Sequence, residues 1–210
     1  MRSAPDLSRF REARPPRRAG EHCEMCDEAL PGDHRHIVDI ETRNLLCTCT
    51  ACSLLFTHEG AAGGRYRAVP NRYLYDASLE LSERQWDELQ IPVGMAFFFL
   101  NSSLGRFVAF YPSPAGATES LLPLETWQQV MEANPAFASI APDVEALLLR
   151  RTGDRFECYL APIDASYELV GRVRLRWKGF DGGEEVWNEI DSFFSTLRER
   201  SRAVEAVGDE

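Results

Sequence analysis

Two C-x-x-C pairs, Cys23-Glu-Met-Cys26 and Cys49-Thr-Ala-Cys52, stand 22 residues apart, and no other feature restricts the fold of this chain as much. A C-x-x-C turn brings two sulfurs to one side of a tight bend, where nearby backbone N–H groups stabilise the thiolates. Two such turns at one end of a hairpin complete a tetrahedral four-sulfur site. The intervening residues supply that hairpin. "HRHIVDIE" alternates Ile37, Asp39 and Glu41 with Val38 and Ile40, "TRN" makes the turn, and "LLCTC" returns.

The arrangement is that of a zinc ribbon, with Cys23, Cys26, Cys49 and Cys52 as the expected metal ligands. Zn²⁺ is the expected metal. Iron in the same four-cysteine site, as in a rubredoxin, is the alternative, because both metals accept tetrahedral sulfur sites. Rubredoxin knuckles usually carry Gly and Pro beside the cysteines, and "CEMCDE" and "CTACSL" do not.

Cys47 is a fifth thiol, two residues before Cys49, so a strand would point both side chains to one face. Three readings stand: a spare half-buried thiol, a substitute for Cys49 as ligand, or a redox partner that forms a transient disulfide when metal leaves. All four histidines (22, 34, 36 and 58) lie in or beside this module, at positions suited to hydrogen bonds around a metal rather than to ligation. Cys158, the one later thiol, sits in an apolar strand pattern and reads as core.

Charge divides unevenly. Residues 1–20 carry six Arg against Asp6 and Glu12, so the remaining chain holds a net charge of −14 within the total of −10. A body that acidic argues against nucleic acid as a partner. The opposing feature is a basic strip of Arg35, Arg43, Arg65, Arg67 and Arg72, with Tyr interleaved in "RYRAVPNRYLY" as stacking surfaces have it. No apolar run reaches the roughly 20 residues of a membrane span, and no apolar stretch follows the basic N-terminus as in a secretory leader. A cytoplasmic location is therefore expected, where clustered cysteines mean metal or redox chemistry.

The chain divides into a disordered basic arm (1–20), a zinc-ribbon-like metal module (21–60), a connector (61–90) with a short helix at Ser82–Leu89, an α/β domain (91–202) and a disordered tail (203–210). In the α/β domain, "GMAFFFLN" and "RFVAFYP" flank the turn "SSLG" and predict a hairpin. "SPAGATES" reads as a loop and "LPLETWQQVMEAN" as a helix begun near Pro123. "APDVEALLLRR" fits helix or strand, and "RFECYLAP" fits a strand with Phe156, Cys158 and Leu160 on one face. Asp164 is placed to cap a short turn in "ASYELVG", and the alternation in "RVRLRW" predicts a strand. A final helix carries Val186, Ile190, Phe193, Phe194 and Leu197 on one face. Trp177, Phe180 and Trp187 read as core aromatics bracketing a glycine turn, with anchors for a partner as the alternative. The expected class is α+β or α/β: a small zinc-ribbon/rubredoxin-like module followed by a mixed α/β domain. No nucleophile elbow, phosphate-binding loop or H-E-x-x-H motif occurs, so no catalytic residues are assigned.

The segments "CEMCDEAL", "HRHIVDIETRNLLCTCTACSLLF" and "CYLAPIDASYELVGRVRLRWKGFDGG" resemble an uncharacterised family of mainly actinobacterial proteins, encoded beside NiFe-hydrogenase structural and maturation genes. The likeness spans roughly residues 22 to 198. It implies an accessory role near the hydrogenase, with a hydrogenase subunit or maturation factor as protein partner. Three functions follow in order of support: a metal-binding accessory protein, a rubredoxin-like iron electron carrier, and a zinc-ribbon nucleic-acid-binding or regulatory protein. A metal-dependent enzyme ranks last, since a closed four-sulfur site has no open position for substrate.

Overall fold

The first hairpin forms where the two-residue alternation is clearest. Strand β1 (Arg35–Asp39) pairs antiparallel with β2 (Asn44–Thr48), setting His36 opposite Cys47 and Val38 opposite Leu45. The turn is held by Asp39, whose Oδ1 accepts the N–H groups of Glu41 (3.0 Å) and Thr42 (3.2 Å). Arg43 adopts the left-handed φ of 59° that reverses the chain. A third strand, β3 (Tyr66–Ala68), adds to the free edge of β1, giving the order β2-β1-β3. The structure is a computed structural model that describes residues 21–76, 79–120, 124–153, 155–179 and 182–204. The expected arm at 1–20, Pro123, Phe180 and the tail beyond 204 lie outside the described residues.

Arg65 Nη2 reaches Asp39 Oδ2 at 2.8 Å. This hydrogen bond is the main cause that holds the Asp39 carboxyl below its ordinary range, against the opposing effect of burial. A folded pKa below the unfolded value of about 3.9 means that the stabilisation is complete above that value and lost as pH falls through the folded pKa. Amide protection at Glu41 and Thr42 is therefore expected to disappear selectively in acid, and Asp39→Asn should flatten that pH dependence. A native-state hydrogen-exchange profile with the same acid loss in Asp39→Asn would contradict this.

The larger sheet has seven strands: β4 (Leu74–Asp76), β5 (Met95–Asn101), β6 (Arg106–Ser113), β7 (Gly116–Ser120), β8 (Glu145–Thr152), β9 (Arg155–Pro162) and β10 (Arg202–Ala203). Their order is β10-β4-β9-β8-β5-β6-β7, antiparallel throughout except for the β10–β4 pair. The segment 61–90, expected as a connector, thus contributes β3 to the small sheet and β4 to the large one.

Among the described residues there are five α-helices, α1 (Thr50–Leu54), α2 (Glu83–Glu88), α3 (Leu124–Ala133), α4 (Ile163–Arg176) and α5 (Gly183–Arg200), and two short 3-10 turns. Helix α2 starts at Ser82 with a capping box, in which Ser82 Oγ accepts from Gln85 N and Gln85 Oε1 accepts from Ser82 N. One sheet face packs on α2 and α3, where Phe98 stacks on Trp127 with centroids 3.8 Å apart. The other face packs on α4 and α5, through Phe97, Leu148 and Tyr159 against Leu169, Val173, Ile190 and Phe194. The class is α+β.

Three expectations change. "APDVEALLLRR" is strand β8, with Leu147 and Leu149 facing α2/α3 and Ala146 and Leu148 facing α4/α5. A strand buried on both faces loses its alternation and becomes a continuous apolar run, which is why its periodicity is ambiguous. "SPAGATES" is not all loop, because β7 forms along the edge of β6; an edge strand is recruited by backbone pairing and needs little apolar content. "ASYELVG" and "RVRLRW" form one helix, α4, with Ser166, Leu169, Val170 and Val173 buried at helical spacing. Leu175, which the strand pattern would set beside Val173, is 84% exposed.

The glycine turn before α5 is sterically required. At Gly182, with φ 88°, a Cβ would approach Val186 Cγ1 to 2.7 Å and the Trp177 ring to 3.3 Å. Trp177 packs against the core as expected, whereas Trp187 is 42% exposed.

The ribbon joins this body through apolar burial. Val38 is buried in the α4/α5-side core, and Ile40 and Leu45 pack against it. His36 Nδ1 donates to Asp164 Oδ2 of α4 at 2.9 Å.

Candidate metal centre

Each knuckle is positioned by backbone hydrogen bonds. Around the first, Cys23 N donates to Glu28 O and Asp27 N to Cys23 O, both at 2.8 Å, and Asp27 takes a φ of 66° to close the turn. The second lies where β2 ends. Cys49 caps α1, its sulfur accepting the N–H of Cys52 at 3.4 Å. A two-way bridge ties the knuckles together: Glu24 N donates to Cys47 O (2.9 Å), and Cys47 N donates to Glu24 Oε2 (2.7 Å).

The result brings the sulfurs of Cys23, Cys26, Cys49 and Cys52 all within 4.8 Å of one another. Zn–S bonds of about 2.3 Å at tetrahedral angles separate ligand sulfurs by about 3.8 Å. The Cys26 and Cys49 sulfurs are 3.8 Å apart. The donor set therefore fits a four-thiolate metal, and metal binding is the chemistry this cluster can perform.

Thiol acidity agrees. Burial pushes the Cys23 thiol up, but N–H donors at Cys49, Met25 and Cys26 outweigh it and bring Cys23 down to about 6. Cys52 is pushed up to about 12, first by burial and then by its hydrogen bonds with the other three cysteines. Four adjacent sulfurs cannot all carry charge unless a cation compensates them, so titration is spread widely. A divalent metal supplies the missing positive charge and releases the remaining protons.

Cys47 stands outside this cluster. Its sulfur groups instead with a ring nitrogen of His34 and one of His36, again within 4.8 Å of one another. The histidines assigned to supporting hydrogen bonds thus divide. His22 Nδ1 donates to Asp27 O (3.1 Å) beside the first knuckle, and His58 Nδ1 accepts from Gly60 N (3.1 Å), whereas His34 and His36 face Cys47. The readable signal is H-x-H at the start of one strand, with His36 on β1 and His34 just before it, opposite a cysteine on the partner strand. Cys158 is buried in the core, and burial pushes its thiol well above the usual range.

Two surface features bear on partners. Met25, Leu54 and Leu55 are 41%, 63% and 68% exposed on and just after the two knuckles. Of the expected basic strip, Arg65 pairs with Asp39, Arg67 lies 3.9 Å from Asp143, and Arg72 pairs with Glu145, so these three guanidiniums are committed to internal carboxylates.

No curated protein and no solved structure matches the chain. Residues 22–201 match the family of unknown function DUF5947, and the chain belongs to that family.

Proposed function

We propose that this protein is a metal-binding accessory protein of the cytoplasm, in which zinc held by Cys23, Cys26, Cys49 and Cys52 staples the ribbon and the ribbon docks a protein partner. The partner is a subunit or maturation factor of a NiFe-hydrogenase, as the resemblance of the chain suggests. One observation carries the docking reading: among the described residues, three of the seven large exposed hydrophobics, Met25, Leu54 and Leu55, lie at the cysteine knuckles. Apolar side chains on metal-rigidified turns lose little entropy on binding and make suitable contact anchors.

Exposure of Cys26 at the same surface favours a second reading, an iron-loaded electron carrier, because a surface sulfur gives electrons a short route out. The nucleic-acid reading has less support, with Arg65, Arg67 and Arg72 already paired.

Metal analysis with a visible spectrum, on protein purified without added metal, separates the first two. Zinc without a visible band is expected, and iron with thiolate-to-iron charge-transfer bands would replace the staple with the carrier. Docking is tested by titrating the chain with purified hydrogenase subunits and maturation factors. The double variant L54E/L55E should weaken the complex at least about tenfold, the scale of one anchor residue, with metal content unchanged. Equal affinity in the variant would remove the knuckle surface from the proposal.

A further inference from the structure

We propose that His34, His36 and Cys47 form a second metal site, distinct from the four-cysteine cluster, which takes a divalent transition metal of the zinc class and keeps one coordination position open to a cleft.

The register of the ribbon builds it. His36 and Cys47 are directly paired across β1 and β2, and His34 precedes β1 two residues from His36, so all three fall on the face turned towards α4. One ring nitrogen from each histidine and the Cys47 sulfur lie within 4.8 Å of one another. The two imidazole rings are 4.8 Å apart between centroids and tilted by 52°, not stacked flat.

Hydrogen bonding then sets which nitrogen is available. His34 Nδ1 is 3.0 Å from Pro31 O, and a carbonyl can only accept, so Nδ1 carries the proton. Glu21 Oε2, at 3.5 Å from the same nitrogen, favours the same tautomer. His36 Nδ1 donates to Asp164 Oδ2 at 2.9 Å. Both rings thus keep the Nε2 lone pair for a metal. A histidine ligand held through its other nitrogen by a carboxylate or a backbone carbonyl is the usual support of a metal-bound imidazole.

An independent observation points the same way. The His34 side chain is only 8% exposed, yet its Nε2 is buried and has no hydrogen-bond partner. A buried acceptor left without a partner is destabilising, and a metal ion bound there removes that cost. His34, His36 and Asp164 also line a cleft of about 490 Å³, which gives water or a donor atom of a bound molecule room to complete a tetrahedron. Two imidazoles and one thiolate suit zinc, cobalt or copper better than magnesium or calcium, which take oxygen ligands. Cys47 thereby gains a role that the four-cysteine cluster does not provide.

The test is a Co²⁺ titration of the full chain, followed by its visible absorption. Wild type should bind two equivalents, with spectra of a four-thiolate and of a one-thiolate site. His36→Gln and Cys47→Ser should each bind one, keeping the four-thiolate spectrum that also reports a folded ribbon. Asp164→Asn, which leaves every ligand in place, should weaken only the one-thiolate site, by about 10–100-fold. Cys26→Ser, which releases the staple on β1 and β2, should lose both spectra, whereas in wild type the two sites read out separately: missing four-thiolate bands would remove the zinc staple, and four-thiolate bands alone would remove this site. A single equivalent in wild type, two in either His36→Gln or Cys47→Ser, or loss of four-thiolate intensity in Cys47→Ser would overturn the proposal.

Discussion

Replacing Cys52 with serine is expected to strip the four-sulfur metal and unfold the ribbon while most of the seven-stranded sheet stays folded. Three thiolates and a hydroxyl hold zinc far less well than four thiolates, and the free energy of a structural zinc site is free energy of folding. In isolated finger peptides that quantity is about 10–16 kcal/mol. The loss here should be smaller, because the ribbon is also held by Val38, Ile40 and Leu45 against the core and by the Arg65–Asp39 pair. Even a loss of about 3–5 kcal/mol is a large share of the roughly 5–15 kcal/mol that stabilises an ordinary domain. Hydrogen exchange gives the check. Protection in β1 and β2 should collapse in Cys52→Ser, and equally after chelation of the wild type, with β8 and β9 largely retained. Protection that survives both treatments would mean that the ribbon folds without metal, and the staple would have to be abandoned. Acid should mimic chelation, since thiolate ligands must take up protons as the metal leaves.

The second large effect is expected at a site far from the cysteines. Glu145 begins β8 with its side chain 1% exposed, and Arg72 clamps it with two hydrogen bonds, from Nε to Oε1 at 2.8 Å and from Nη2 to Oε2. Ala141 N adds a third donor to the carboxylate, at 2.8 Å, and Arg72 Nη2 also donates to Ser139 O at 2.8 Å. Hydrogen bonding to Glu145 is the main cause that raises the guanidinium pKa of Arg72, and burial opposes it. Arg72→Ala strands a buried charge, a change that costs about 3–5 kcal/mol in enclosed pairs. The partial exposure of Arg72 places the expectation at the lower end, near 3 kcal/mol. Urea unfolding measures it. Arg72→Lys should recover only part of the loss, because an ammonium cannot make the paired contact. A shift below about 0.5 kcal/mol, the scale of an ordinary surface substitution, would show that water replaces the guanidinium without penalty.

These two sites differ in how far they could be read from the chain. The four-cysteine cluster is legible because each knuckle is a local turn and the hairpin between them is signalled by short-range alternation. Helix α5 is legible for a similar reason, its buried Val186, Ile190, Phe193, Phe194 and Leu197 repeating at 3.6-residue spacing. The clamp of Arg72 on Glu145 joins residues 73 positions apart, and nothing in either neighbourhood announces the other.

Sequence alone therefore determined what depends on neighbours within a few turns of chain: the paired knuckles, the ribbon hairpin, the β5–β6 hairpin, the capped helix after Ser82 and the amphipathic face of α5. Tertiary structure decided whatever depends on which surfaces meet. It made β8 a central strand, because burial on both faces erases the period that would have distinguished strand from helix. It carried α4 through the "RVRLRW" alternation, because Val173 continues a buried helical stripe while Leu175 faces solvent. It also separated Cys47 from the four-sulfur cluster and set it beside His34 and His36. Composition places those three residues in one module, but only strand register and the docking of β1 on Asp164 bring their donor atoms together.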